Sequence, residues 1–174
     1  MAGLAKGYRK VEVKLSWDPA PVGAPNHDLD LIAATYTAAA PSGPPTYLVH
    51  FDSRSPDGTI ILNRDSHDGR GFGADEVLTL DLYRVPETLT RVVIGVAIQQ
   101  HAGRLAFGEV ARPVVSLHEG YTVLARHELT TLPESTAATV AEFVRESGGR
   151  WLFTSEARGY DADPVEFGRV MGEG

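Results

Sequence analysis

Cysteine is absent from the 174 residues, which excludes disulfides, thiolate metal sites and thiol nucleophiles. Long apolar runs are missing too, and none approaches the roughly eighteen residues that a membrane-spanning helix needs. Met1 to Lys10 holds basic residues with no apolar segment behind them, so neither a secretory signal nor direct membrane insertion is expected. The expected location is cytoplasmic, with peripheral attachment to a membrane complex left open. Positive charge is scarce: 16 Lys and Arg stand against 23 Asp and Glu, giving a net charge of −7. The basic residues are scattered rather than clustered, so no nucleic-acid surface is marked. What is present, 43% hydrophobic and 22% charged residues, fits a folded globular chain, and its length suits a single domain over 1–174.

The apolar pattern is that of strands. Val11, Val13, Leu15 and Trp17 alternate with polar residues, as a half-buried strand requires. A Pro-rich loop from Asp18 to His27 then delivers Asp28 to a strand running from Leu29 to about Thr37. Tyr47, Val49 and Phe51 alternate in the next strand. Ser55-Pro56-Asp57-Gly58 reads as a turn, so Thr59–Leu62 is expected to return as the second arm of a hairpin. Further strands are expected at Val77–Leu82, Arg91–Gln99, Pro113–Leu117 and Thr122–Leu129, with Gly95 marking a bulge or close packing. For Ser135 to Glu146 helix propensity and strand alternation compete. Asp163-Pro164-Val165-Glu166 has the acidic cap, early Pro and third-position Glu of a short C-terminal helix. Eight or more short strands argue for an all-β fold, a two-sheet β-sandwich.

The run from Asn63 to Glu76 breaks this pattern. It places Asp65, Asp68, Asp75 and Glu76 together with Gly69, Gly71 and Gly73 in fourteen residues that follow neither a helical nor a strand period. Alternating glycines let a chain curl until its carbonyls and carboxylates converge. Crowded carboxylates are costly unless a cation neutralises them, and an all-oxygen set points to Ca²⁺ first and Mg²⁺ second. An EF-hand is excluded: counting from Asp65, Glu76 stands at position 12, but His67, Gly69 and Arg70 occupy positions 3, 5 and 6. Neither a dinucleotide fingerprint nor a P-loop fits the glycine spacing. A solvated acidic turn is the bland alternative. Asp28 and Asp30 add two carboxylates on one side of a strand start, half a cation site or an edge charge pair that deters aggregation.

Other chemistry is weaker. His118 and His127 lie nine apart, which is not the zinc-protease spacing, and His67 in the loop reads as a solvated residue. No Gly-x-Ser-x-Gly elbow is present. Trp17, Trp151, Phe107 and Phe153 read as core. Asp161 and Asp163 fit helix capping better than ligation.

Taken in order, Asp28-Leu29-Asp30, Ser55-Pro56-Asp57-Gly58-Thr59, the Asp65–Glu76 loop, Phe107-Gly108-Glu109-Val110 and Trp151-Leu152-Phe153 resemble the TerD family of calcium-binding proteins linked to tellurite resistance and stress. Three departures stand out: Arg64-Asp65-Ser66 where the family usually reads Gly-Asp-Asn, Phe72 and Ala74 where it often has further Asp, and a shortened N-terminal segment. They suit a divergent, actinobacterial-type branch. The resemblance implies a β-sandwich, with strand rather than helix at 135–146, that binds one or two Ca²⁺ through the loop and the Asp-Leu-Asp strand. The ligands are then expected among Asp28, Asp30, Asp65, Ser66, Asp68, Gly71, Gly73, Asp75 and Glu76, the glycines through their carbonyls. The implied role is a non-enzymatic, calcium-responsive interaction module. Its implied partners are other stress and tellurite-resistance proteins, with a membrane-associated complex as one setting. Having no cysteine, the chain cannot itself reduce tellurite with thiols. The competing reading is a divalent-metal-dependent phosphoester hydrolase that uses the same acids, with Arg54, Arg64 or Arg70 meeting the substrate.

Overall fold

The computed structural model describes residues 7–51, 54–64, 66, 68–70, 73–101 and 103–173, with Arg64 described in its backbone alone. Eleven strands and one α-helix are present among them, besides three single-turn 3-10 helices: β1 (Lys10–Ser16), β2 (Leu29–Thr37), β3 (Tyr47–Val49), β4 (Ile60–Arg64), β5 (Glu76–Asp81), β6 (Leu89–Ile98), β7 (Val114–Glu119), β8 (Thr122–Glu128), β9 (Ala137–Arg145), β10 (Trp151–Thr154), β11 (Arg158–Tyr160) and α1 (Pro164–Val170). They form two antiparallel sheets. One runs β4-β5-β1-β7-β8; the other runs β10-β9-β6-β2-β3, with β11 also pairing β9. This is the expected all-β sandwich with a short C-terminal helix.

Alternation explains the main core. Val11, Val13 and Leu15 of β1 and Leu78 and Leu80 of β5 point inward and are fully buried, and they meet Leu29, Leu31, Val92, Ile94 and Val96 from the other sheet. β6 is central and covered on both faces, which is why it reads as an unbroken apolar run. A second apolar cluster lies on the outer face of that sheet, where Ile32, Ala34, Tyr36 and Val93 receive Phe167 and Met171. Asp163 caps α1 as expected, its Oδ1 accepting the Glu166 N–H at 2.9 Å.

Gly95 meets both expectations placed on it. The register of β6 with β9 shifts between Ile94 and Gly95, and a Cβ at Gly95 would lie 2.5 Å from Phe167 Cζ. Residues 137–145 form a strand, which settles the competition between helix and strand there. A buried strand flanked by β6, β10 and β11 gains ladder bonds on both sides, and that tertiary pairing overrides local propensity.

One expected connection is wrong. β3 and β4 are not arms of a hairpin, because β3 pairs β2 in one sheet while β4 pairs β5 in the other. The turn between them crosses the sandwich. Asp57 holds it by accepting Ser55 Oγ at 2.5 Å, Thr59 N–H at 2.9 Å, Thr59 Oγ1 at 2.5 Å and Tyr47 OH at 3.2 Å. Phe51 lies beyond the end of β3 and is exposed. The true hairpin is β4–β5, and its loop is the acidic run.

Candidate cation site

β2 continues past the end of β3, whose pairing stops at Ala33↔Val49. The first residues of β2 therefore face the opposite sheet across an open edge, and Glu76 fills that gap. Glu76 begins β5 on the same inward face as Leu78 and Leu80, is fully buried, and accepts the Leu31 N–H through Oε1 at 2.7 Å. Asp28 and Asp30 arrive from the other sheet, at 8% and 1% exposure. One carboxylate oxygen from each of Asp28, Asp30 and Glu76 lies within 4.8 Å of the others.

The structure thus brings together three of the expected ligands from two segments 46 residues apart in sequence, counted from Asp30 to Glu76. Four of the others, Ser66, Asp68, Gly73 and Asp75, are described. Asp75 is buried, but its Oδ2 accepts the Trp17 N–H at 2.9 Å while its own N–H donates to the Leu15 carbonyl at 2.8 Å. That carboxylate anchors the loop to the end of β1. Asp68 Oδ1 accepts the Arg70 N–H at 2.9 Å, and Ser66 Oγ accepts the Gly69 N–H at 3.2 Å, so both shape the loop. Gly73 is exposed with a φ of 74°. Asp65, His67 and Gly71 fall outside the described residues.

Two neighbours carry no motif in the sequence. Gln99 Nε2 donates to Asp30 Oδ2, and the Gln99 N–H donates to the Asp28 carbonyl at 2.8 Å. His101 Nε2 stands 3.7 Å from Asp28 Oδ2. Antiparallel pairing of β2 with β6, Leu29 opposite Ile98, is what sets the end of β6 beside the start of β2. Pairing these two runs in the sequence would have found both residues; scanning for motifs would not.

A hard cation fits this donor set. Ca²⁺ takes 6–8 oxygens at about 2.3–2.6 Å, so two ligands on opposite sides of one ion stand roughly 5 Å apart, and a 4.8 Å spread lies within that span. Three carboxylates supply three to six oxygens, and loop oxygens or water would complete the shell. No thiolate donor is available, since the chain has no cysteine.

The arginines are arranged differently. Arg70 lines a cleft of about 550 Å³ with Trp17, Asp18, Asp75 and Arg112, where Arg112 Nε pairs Asp18 Oδ2 at 2.7 Å. Arg54 lines a separate cleft with His50, Phe51 and Asp57. Neither cleft is lined by Asp28, Asp30 or Glu76, and the Arg64 side chain lies outside what is described.

Comparison with known proteins decides the lineage. The TerD domain model matches residues 2–167, a span that takes in every acid described above. The chain belongs to the TerD family. It is 29% identical to the tellurium resistance protein TerD of an Alcaligenes species over 163 residues, covering 90% of this chain and 83% of that protein. It is 25% identical to general stress protein 16U of Bacillus subtilis over 160 residues, covering 88% and 82%. A crystal structure of a TerD homologue from Streptomyces coelicolor A3(2) matches with a TM-score of 0.93 at 47% identity, covering 95% of this chain and 98% of that one. A second crystal structure, of a protein of unknown function, matches with a TM-score of 0.94 at 55% identity over 96% and 98% of the two chains. The Alcaligenes and Bacillus relatives carry names of tellurium resistance and stress, and neither name is an enzyme's. Among the described residues no helix is long and apolar enough to cross a membrane.

Proposed function

We propose that this TerD-family chain is a cytoplasmic, non-enzymatic Ca²⁺-binding module of the stress response. The observation that carries the reading is the buried trio of Asp28, Asp30 and Glu76, gathered from both sheets at one open edge. These three would hold the first ion. Asp65, Ser66, Asp68 and the carbonyls near Gly71 and Gly73 would complete its shell or hold a second. Asp75 would serve mainly as the loop's anchor, since one of its oxygens is engaged by Trp17.

Bound Ca²⁺ would supply positive charge where three carboxylates meet and would tie the acidic loop to β2. Because an ion that binds only the folded chain stabilises it by mass action, about 4 kcal/mol is gained at a thousand times the dissociation constant. The loop surface would then present one shape with the ion and another without it. That difference is what a stress or tellurite-resistance partner, alone or in a membrane-associated complex, would read. That the clefts lined by Arg54 and Arg70 include none of Asp28, Asp30 and Glu76 supports this reading over phosphoester hydrolysis.

Titration calorimetry on the full chain tests the assignment. Asp30→Asn is expected to weaken Ca²⁺ at least tenfold while the ion-free variant keeps its strand signature in circular dichroism. No turnover of p-nitrophenyl phosphate is expected with Ca²⁺, Mg²⁺ or Mn²⁺. Unchanged affinity in Asp30→Asn, or metal-dependent turnover, would overturn the reading.

A further inference from the structure

Trp17 ends the alternation of β1 and is 3% exposed, which by itself describes a core residue. Its polar and close contacts go elsewhere. The indole Nε1–H donates to the His27 carbonyl at 2.8 Å, one residue ahead of Asp28. The Trp17 backbone N–H donates to Asp75 Oδ2 at 2.9 Å, one residue ahead of Glu76. Gly69, in the middle of the acidic loop, lies directly on the ring: with its φ of 76°, a Cβ there would stand 2.5 Å from Trp17 Nε1 and 3.0 Å from the Trp17 carbonyl oxygen. No other residue type lets the loop lie so close. The lead to Asp28 and, at two points, the acidic loop therefore touch one residue that carries no ligand oxygen in its side chain.

We propose that Trp17 is the positioning residue of the site, setting the distance between the Asp28–Asp30 lead and the acidic loop. This inference rests on the cation reading above. A site whose ligands come from distant segments binds tightly only if something rigid fixes their spacing before the ion arrives. Strand β2 fixes Asp30 and strand β5 fixes Glu76, but Asp28 and the loop lie outside both strands. The indole bridges those two. A second consequence is optical. Trp17 should report ion binding through its fluorescence, whereas Trp151 is held by Leu82 and Arg145 and, among the described residues, shares no hydrogen-bond partner with Trp17.

Trp17→Phe keeps an aromatic ring near Gly69 but removes the indole donor together with part of the ring's bulk, so pairing it with Asp28→Asn is what separates positioning from packing. Calorimetric Ca²⁺ affinity is expected to fall about 2- to 10-fold, the scale of one net hydrogen bond. Combined with Asp28→Asn, the same change should cost no further affinity, because the carboxylate it positions is gone. Gly69→Ala, a change at a buried glycine of the loop outside both sheets, provides a second route, with circular dichroism of the ion-free variant checking that the strand signature is kept. It should weaken Ca²⁺ at least as much by lifting the loop off the ring. In the parent, the emission change on Ca²⁺ addition should saturate with the calorimetric isotherm, and it should vanish in Trp17→Phe, where Trp151 remains. If the parent binds Ca²⁺ while Trp17→Phe and Gly69→Ala bind it equally well, the positioning role is overturned and the cation reading stands. Full additivity of Trp17→Phe with Asp28→Asn overturns it too. A parent that binds no Ca²⁺ overturns both.

Discussion

Replacing Gly95 with Ala perturbs the point where α1 meets the outer sheet. A Cβ there would lie 2.5 Å from Phe167 Cζ, 2.6 Å from Cε2 and 2.9 Å from the Ala138 carbonyl oxygen. Ordinary carbon contacts need about 3.5–4.0 Å, so the ring must withdraw by roughly 1 Å or more. Phe167 is fully buried among Ile32, Ala34, Val93 and Met171, and Tyr160 packs edge-on against it at 5.2 Å between centroids. Overpacking of this kind costs about 1–3 kcal/mol, and if α1 lifts away the burial of Phe167 is lost as well, about 1.5–3 kcal/mol more. A total near 3 kcal/mol corresponds to a melting temperature lower by about 6–12 °C for a domain of this size. Differential scanning calorimetry reads the shift, and amide exchange over 164–171 reads the helix. Phe167→Leu, which shortens the clashing side chain, should restore part of the loss in the Gly95→Ala background while destabilising the parent. A Gly95→Ala protein that melts within a degree of the parent, or one that Phe167→Leu fails to help, would refute the account of how α1 is seated.

Other predictions follow from single contacts. Asp57→Ala removes the acceptor of four hydrogen bonds in the crossing turn and should cost about 2 kcal/mol by urea denaturation. Burial opposes ionisation of Asp57, but hydrogen bonds from Ser55, Thr59 and Tyr47 outweigh it and hold its carboxyl below the usual range. Its stabilising contribution is therefore complete above about pH 4 and lost on further acidification, so the parent and Asp57→Ala unfolding curves should converge there. His127 is pushed down from its ordinary value near 6.5 by burial, only partly offset by the Val140 carbonyl, and its Nε2 meets Ser155 Oγ at 2.6 Å. A depressed histidine favours the fold while neutral, so stability should decline as pH falls below about 6.5, and His127→Gln should flatten that decline in melts between pH 5 and 8. Arg91 donates to the Pro41 and Gly172 carbonyls, both at 2.6 Å, and pairs Glu142, so Arg91→Ala should raise amide exchange in α1 while leaving Ca²⁺ affinity unchanged.

Much of this was legible in the chain, and the exceptions have physical causes. β2 spans Leu29–Thr37 as its apolar run implies, and the Asp163 cap does what its neighbours Pro164 and Glu166 suggest. Strand alternation reports which face is buried and says nothing about which strand is the partner. For that reason β3 and β4, close in sequence across a good turn, read as a hairpin although they belong to different sheets. The same limit hid Gln99, whose place beside Asp30 depends on pairing between β2 and β6. Composition identified the acids, but their roles differ through direction. Glu76 points inward beside Leu31, whereas its neighbour Asp75 turns toward Trp17. Trp17 ends an apolar alternation and reads as core; its indole nitrogen facing His27 is a fact of the folded loop alone.

The most direct test of the central claim is a thermal melt of the chelator-stripped full chain, titrated separately with Ca²⁺, Mg²⁺ and Mn²⁺, with native mass spectrometry counting the ions retained. The account predicts a saturable rise with Ca²⁺, about 8–16 °C at a thousand times the dissociation constant, larger than with either other ion, and one or two Ca²⁺ kept on the protein. An unchanged melting temperature with every ion and a mass that retains none would contradict it, leaving Asp28, Asp30 and Glu76 as a buried acidic cluster of the sandwich rather than a Ca²⁺ site.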